Sequence, residues 1–128
     1  MIELNKSYPT AYFSLGVAYF RKGMLNEAMD AIEAGLKLNP DELNALTNLG
    51  AIYEQAGHLK RAVEILQFVI RKDGRHGRAF FNLGVAFEKL GMHKEAAKAY
   101  EDAAGLNYRR DYAIGRSKYL KELNFNAG

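Results

Sequence analysis

The chain has no cysteine, which excludes disulfides, thiolate metal sites and cysteine nucleophiles but leaves the compartment open. It also lacks a strong charge of either sign. Eighteen basic residues stand against 15 acidic ones, a net +3, and no block of five like charges occurs. An electrostatic tail is thereby excluded. No apolar run approaches the roughly 20 residues of a membrane-spanning helix. The first residues lack the basic region and apolar stretch of a secretory leader, so none is expected. Catalytic signatures are missing as well. There is no phosphate loop and no nucleophile elbow. His58, His76 and His93 stand at unrelated places and form no metal-ligand spacing. Neither a metal nor a cofactor is expected, and the chain does not read as an enzyme.

What is present is one pattern written three times, 34 residues apart. Leu15-Gly16, Leu49-Gly50 and Leu83-Gly84 recur at that period, as do Gly23, Gly57 and Gly91, and Ala28, Ala62 and Ala96. A repeat of this length is one helix pair stacked on the next, because a single pair cannot bury its own apolar face. The fold class expected is therefore all-α, an α-solenoid. With 48% hydrophobic residues, the chain can bury a core, spread along its length rather than gathered at a centre.

Numbering each repeat from Pro9, Leu43 and Gly77 makes the faces explicit. Repeat positions 4, 7 and 11 hold Tyr12, Leu15 and Tyr19; Leu46, Leu49 and Tyr53; Phe80, Leu83 and Phe87. A spacing of three and four is a single helical stripe, the buried face of a first helix. Gly at position 15 is expected to end it. Positions 20, 24 and 27 make a second stripe: Ala28, Ile32 and Gly35; Ala62, Leu66 and Val69; Ala96, Tyr100 and Ala103. The link between the two helices is short, so they run antiparallel. The small residues at positions 8 and 20 are expected to meet where the helices approach, with larger ones filling the space around them. The second helices open on Met24, His58 and Met92, so they depend on packing more than on side-chain caps.

This pattern resembles the tetratricopeptide repeat. The matching features are a large residue at 4, Leu-Gly at 7 and 8, an aromatic at 11, Ala at 20, a large residue at 24 and Ala at 27. Pro40 matches the usual Pro at 32, while Gly74 and Tyr108 depart from it; Gly35 and Val69 depart from Ala at 27. Three units of 34 cover about 102 of the 128 residues. The domain reading is 9–42, 43–76 and 77–110 as repeats one to three, with 111–128 as a capping helix and frayed tail. Within that tail, Asp111 to Leu123 reads as amphipathic helix, and Lys118 stands where Gly would continue the motif. Residues 1–8 read as a linker or the tail of a preceding repeat, since Leu4-Asn5 precedes Leu38-Asn39 by 34.

The resemblance implies a right-handed superhelix whose first helices line a concave groove for a protein or peptide partner. Its lining positions, mainly 2, 5, 6, 9, 12 and 13, imply a site of Phe13, Val17, Asn44, Asn48, Arg78, Phe81, Asn82 and Val85. Asn48 and Asn82 would form an amide ladder for the backbone of an extended peptide or short helix. The apolar residues would add grip, and Arg78 charge selection. Some family members clamp a chaperone's terminal carboxylate with paired cations. Here the corresponding positions hold Phe13, Val17, Asn48, Arg78 and Asn82, which disfavours that ligand.

Rival readings fit less well. The basic stretch from Arg71 to Arg78 spans a turn and reads as a solvated loop, so nucleic acid is disfavoured. Glu54 and Glu88 stack as any repeated residue does, without implying acid–base chemistry. Phe13 and Phe20 could serve as interface anchors or simply pack on their neighbours. Self-association through stacked ends is the alternative within binding, and a docking array from a larger enzyme the alternative outside it.

Overall fold

A computed structural model describes residues 8–127; the Ile2 to Asn5 fragment lies outside them. Among the described residues the chain forms seven α-helices and no strand: α1 (Pro9–Arg21), α2 (Leu25–Leu38), α3 (Leu43–Gln55), α4 (Leu59–Lys72), α5 (Gly77–Lys89), α6 (His93–Gly105) and α7 (Arg110–Ala127). α1 packs on α2, α3 on α4 and α5 on α6, and each pair touches the next. The molecule is an α-solenoid.

The helix ends follow from local chemistry. Gly23, Gly57 and Gly91 have φ of 77°, 86° and 76°, the left-handed conformation that costs a residue with a Cβ. Each lets the chain reverse and close a paired cap. After α1, the Met24 N–H donates to the Tyr19 carbonyl at 3.0 Å and the Gly23 N–H to that of Phe20 at 3.0 Å. Asn107, with φ 63°, closes α6 in the same way, its N–H donating to Ala104 at 2.9 Å. The second helices start on Met24, His58 and Met92 with no side-chain cap, as their sequence implies.

Packing refines the sequence expectation at the helix junction. A Cβ on Gly16 would lie 2.3 Å from Ile32, one on Gly50 2.7 Å from Leu66, and one on Gly84 3.0 Å from Tyr100. The glycine at position 8 thus makes room for the large side chain at position 24, more than for the alanine at 20. Ile32, Leu66 and Tyr100 are fully buried there; each such aliphatic side chain contributes roughly 1.5–3 kcal/mol. Gly35 has its own reason: a Cβ would fall 2.5 Å from the Phe13 ring. Phe13 fills the space that a position-27 alanine would take.

The stripes at 4, 7 and 11 omit a second buried face. Positions 3 and 10, which are Ala45 and Ile52 on α3 and Ala79 and Ala86 on α5, are also buried. They form the side of each first helix turned to the preceding pair. The same two positions on α7, Ala113 and Leu120, are buried too. α7 therefore sits in the register of a fourth first helix. Its positions 4, 8 and 11, where a second helix would pack, are Ile114, Lys118 and Lys121, all exposed. That face of α7 is solvated and carries two lysines. The helix also runs to Ala127, past the expected end near Leu123.

Candidate peptide-binding groove

At about 100° per residue, positions 2, 6 and 9 of a first helix share one side, opposite positions 4 and 11. On α3 these are Asn44, Asn48 and Ala51, and on α5 Arg78, Asn82 and Val85. Hydrogen bonds join the polar members into a network. Arg78 Nη1 donates to Asn48 Oδ1 at 2.7 Å, and Arg78 Nη2 reaches the Asn44 carbonyl at 3.5 Å. His76 sits beside them, just ahead of α5. Its Nδ1 accepts the Ala79 N–H at 3.2 Å, capping the helix. Its Nε2 lies 3.0 Å from Asn44 Oδ1. Both bonds are satisfied by the neutral ring with its proton on Nε2. Burial, and then the Arg78 guanidinium, hold this imidazole below its ordinary pKa.

The network spends acceptors and leaves donors. The carboxamide oxygens of Asn44 and Asn48 are both engaged, while their N–H₂ groups donate to nothing among the described residues. Asn82, half-buried at the same position one repeat later, makes no side-chain hydrogen bond among those residues. Val17 and Val85 are half-buried on the same side.

One expected lining residue is buried, and a second is half-buried against α2. Phe81 is only 5% exposed. Its ring meets those of Tyr100, Tyr108 and Tyr112 at centroid distances of 5.3, 5.6 and 5.7 Å. Phe13 packs on Gly35, and Phe20 on the core around Ile32 and Tyr53. Position 5 lies at the edge of the candidate face, turned toward the following pair, so a large apolar side chain there is drawn inward. Thr47, at the same position, is buried and donates to the Leu43 carbonyl at 2.8 Å.

Glu54 and Glu88, at position 12, are tied to the next first helix. Glu54 pairs with Lys89. Glu88 accepts from Arg116 Nε at 2.9 Å and from the Tyr100 hydroxyl at 3.0 Å. The Arg116 bonds hold its carboxyl below the usual range, and burial followed by Glu88 pushes the Tyr100 phenol up. These carboxylates fasten the array.

Sequence reasoning missed the part of this face on α7. Tyr112, Arg116 and Tyr119 occupy positions 2, 6 and 9 of the fourth first helix, and the two tyrosines are 52% and 47% exposed. Counting the register 34 residues on from Arg78, Asn82 and Val85 would have found them. Open cavities of about 420, 480 and 540 Å³ lie on the opposite side, lined by Phe80, Phe87 and Tyr53 and the second helices. None borders a candidate lining residue.

Two family models described as tetratricopeptide repeat match residues 9–42 and 47–113. The chain belongs to the tetratricopeptide repeat family. Its members are generally non-catalytic interaction modules, and the repeat array here is a protein–protein interaction module. Several solved tetratricopeptide domains share the fold. The domain of Arabidopsis OM64 superposes with a TM-score of 0.84 at 22% identity, covering 89% of this chain and 94% of that one. The Sgt2 domain from Aspergillus fumigatus gives 0.84 at 22%, covering 94% and 82%. The first such domain of Spaghetti (RPAP3), bound to the HSP90 peptide SRMEEVD, gives 0.85 at 20%, covering 96% and 98%. No curated protein matches. Among the described residues, no helix is long and apolar enough to cross a membrane.

Proposed function

We propose that this tetratricopeptide array binds an extended peptide or short helix along the first-helix face of Asn44, Asn48, Arg78, Asn82 and Val85, continued onto α7 by Tyr112 and Tyr119. The observation that carries this reading is the polarity of the network. With the amide oxygens of Asn44 and Asn48 engaged by His76 and Arg78, the free groups there are N–H donors. Such a surface suits the carbonyl oxygens of a peptide backbone, whatever its side chains. Exposed tyrosines add apolar area at low entropic cost, as interface anchors do. The RPAP3 relative binds its HSP90 peptide on the same fold. A terminal carboxylate of that kind is not the ligand proposed here, because Phe13 is packed on Gly35 and supplies no cation.

The test is a comparison of partners captured by the wild-type protein and by Asn48→Ala plus Asn82→Ala. Loss of the captured proteins supports the reading. An unchanged set overturns it, provided both proteins melt alike.

A further inference from the structure

Arg109 lies in the turn between α6 and α7, with φ of 44°, a conformation that costs a residue with a Cβ of order 1 kcal/mol or more. Its guanidinium carbon sits 4.5 Å from the centre of the Phe81 ring and 5.0 Å from that of Tyr112. Two aromatic rings at this distance restrict the group without using its N–H donors. Among the described residues Arg109 makes no ion pair and no side-chain hydrogen bond. Arg116 is a useful contrast: it also stacks, 4.8 Å from the Tyr119 ring, but its donors are committed to Glu88.

The surroundings share the sign. Arg78 is one turn before Phe81 on α5. Arg75 occupies in the α4–α5 turn the repeat position that Arg109 holds in the next, and Arg110 follows directly. The acidic groups in these turns are Asp73, whose carboxylate accepts the Arg75 N–H at 3.0 Å, and exposed Asp111. In the α2–α3 turn the two positions matching Arg109 and Arg110 are Asp41 and Glu42. The charge along this edge of the array therefore reverses, from acidic beside α3 to basic beside α5 and α7.

We infer that Arg109 is an anion anchor, receiving an aspartate or glutamate side chain from the bound peptide in a bidentate pair. The charge reversal along the edge directs the acidic end of that peptide toward α7. The inference rests on the peptide-binding reading above and adds to it a ligand class and a direction. A carboxylate fits the fork of a guanidinium already held against two rings, so less rotamer freedom is lost on pairing.

An array of random dodecapeptides tests this. Bound sequences should be enriched in Asp and Glu toward one end. Arg109→Gln should weaken the acidic binders about tenfold, the loss of one charge-assisted pair, and leave neutral binders unchanged. Arg109→Lys, which keeps charge without the planar fork, should fall between. Should Arg109→Gln lower the melting temperature, Arg109→Asn, which tolerates the left-handed backbone, replaces it. Absence of acidic enrichment overturns the anchor, as does equal binding by the variants. So does a labelled twelve-residue oligothymidylate that binds more tightly than any peptide and is lost with Arg109→Gln. The Asn48→Ala plus Asn82→Ala protein separates the two readings. If it keeps acidic binders that Arg109→Gln loses, the anchor stands and the amide-ladder reading fails. If it loses all binders while Arg109→Gln loses none, the reverse holds.

Discussion

At the residue scale, two glycines on helices carry opposite expectations. A Cβ on Gly50 would meet Leu66 at 2.7 Å, whereas one on Gly115 would meet nothing within 4 Å. Gly50→Leu overpacks the α3–α4 junction and should cost about 1–3 kcal/mol or more. Gly115→Ala, inside exposed α7, should stabilise by about 0.5–1 kcal/mol. Chemical denaturation of both reports the sign directly. His76 makes a different prediction. Its folded pKa is held below the ordinary 6.5, so the folded state binds fewer protons than the unfolded one. The stability it contributes is present above about pH 6.5 and is lost as pH falls through the lowered folded value. Protonation removes the Nδ1 acceptor and with it the cap on α5. His76→Asn keeps a capping side chain that does not titrate, so its denaturation midpoint should change less than wild type between pH 7.5 and 5.

At the element scale, α7 is held by more than apolar burial. Glu88 on α5 takes hydrogen bonds from Tyr100 on α6 and Arg116 on α7, joining three helices at one carboxylate. Glu88→Ala strands the Tyr100 hydroxyl of a side chain that is otherwise buried. The cost should be about 1–3 kcal/mol, and amide exchange should accelerate first in α7, whose anchoring partner is lost. Equal protection across α5 and α7 in the variant would count against this. The network at Asn44, Asn48, His76 and Arg78 is likewise a property of two elements. It couples the start of α5 to the face of α3, so the helix cap and the candidate site share one imidazole.

At the scale of the whole molecule, the outer face of α7 carries charge. Ile114, Lys118 and Lys121 occupy the positions where a second helix would pack, and Lys121 pairs with Glu101. Lys118→Leu plus Lys121→Leu would join them with Ile114 in an apolar patch of the kind that buries against another copy. Sedimentation over a concentration series should then show association that the wild-type α7 surface resists. No concentration dependence in the variant beyond that of wild type would rule out this role for the lysines.

The 34-residue period by itself determined the fold class, the helix pairs and the glycine-bounded links. Each of these follows from local chemistry: a 3.6-residue stripe, a left-handed cap, a link too short for anything but reversal. The same period, carried one unit further, already contained the place of Tyr112, Arg116 and Tyr119. Only the tertiary structure decided which lining positions stay open. Phe13 and Phe81 carry the right repeat number but are large and apolar at the edge of a face; neighbouring helices bury Phe81 and half cover Phe13. Asn44, Asn48, Arg78 and His76 could be read as independent groups in the sequence. Their bonds to one another, which turn an amide ladder into a row of donors, depend on distances between helices that no spacing along the chain encodes. The stacking of Arg109 on Phe81 and Tyr112 is of the same kind: three residues from three elements, brought together only when α7 takes the place of a fourth first helix.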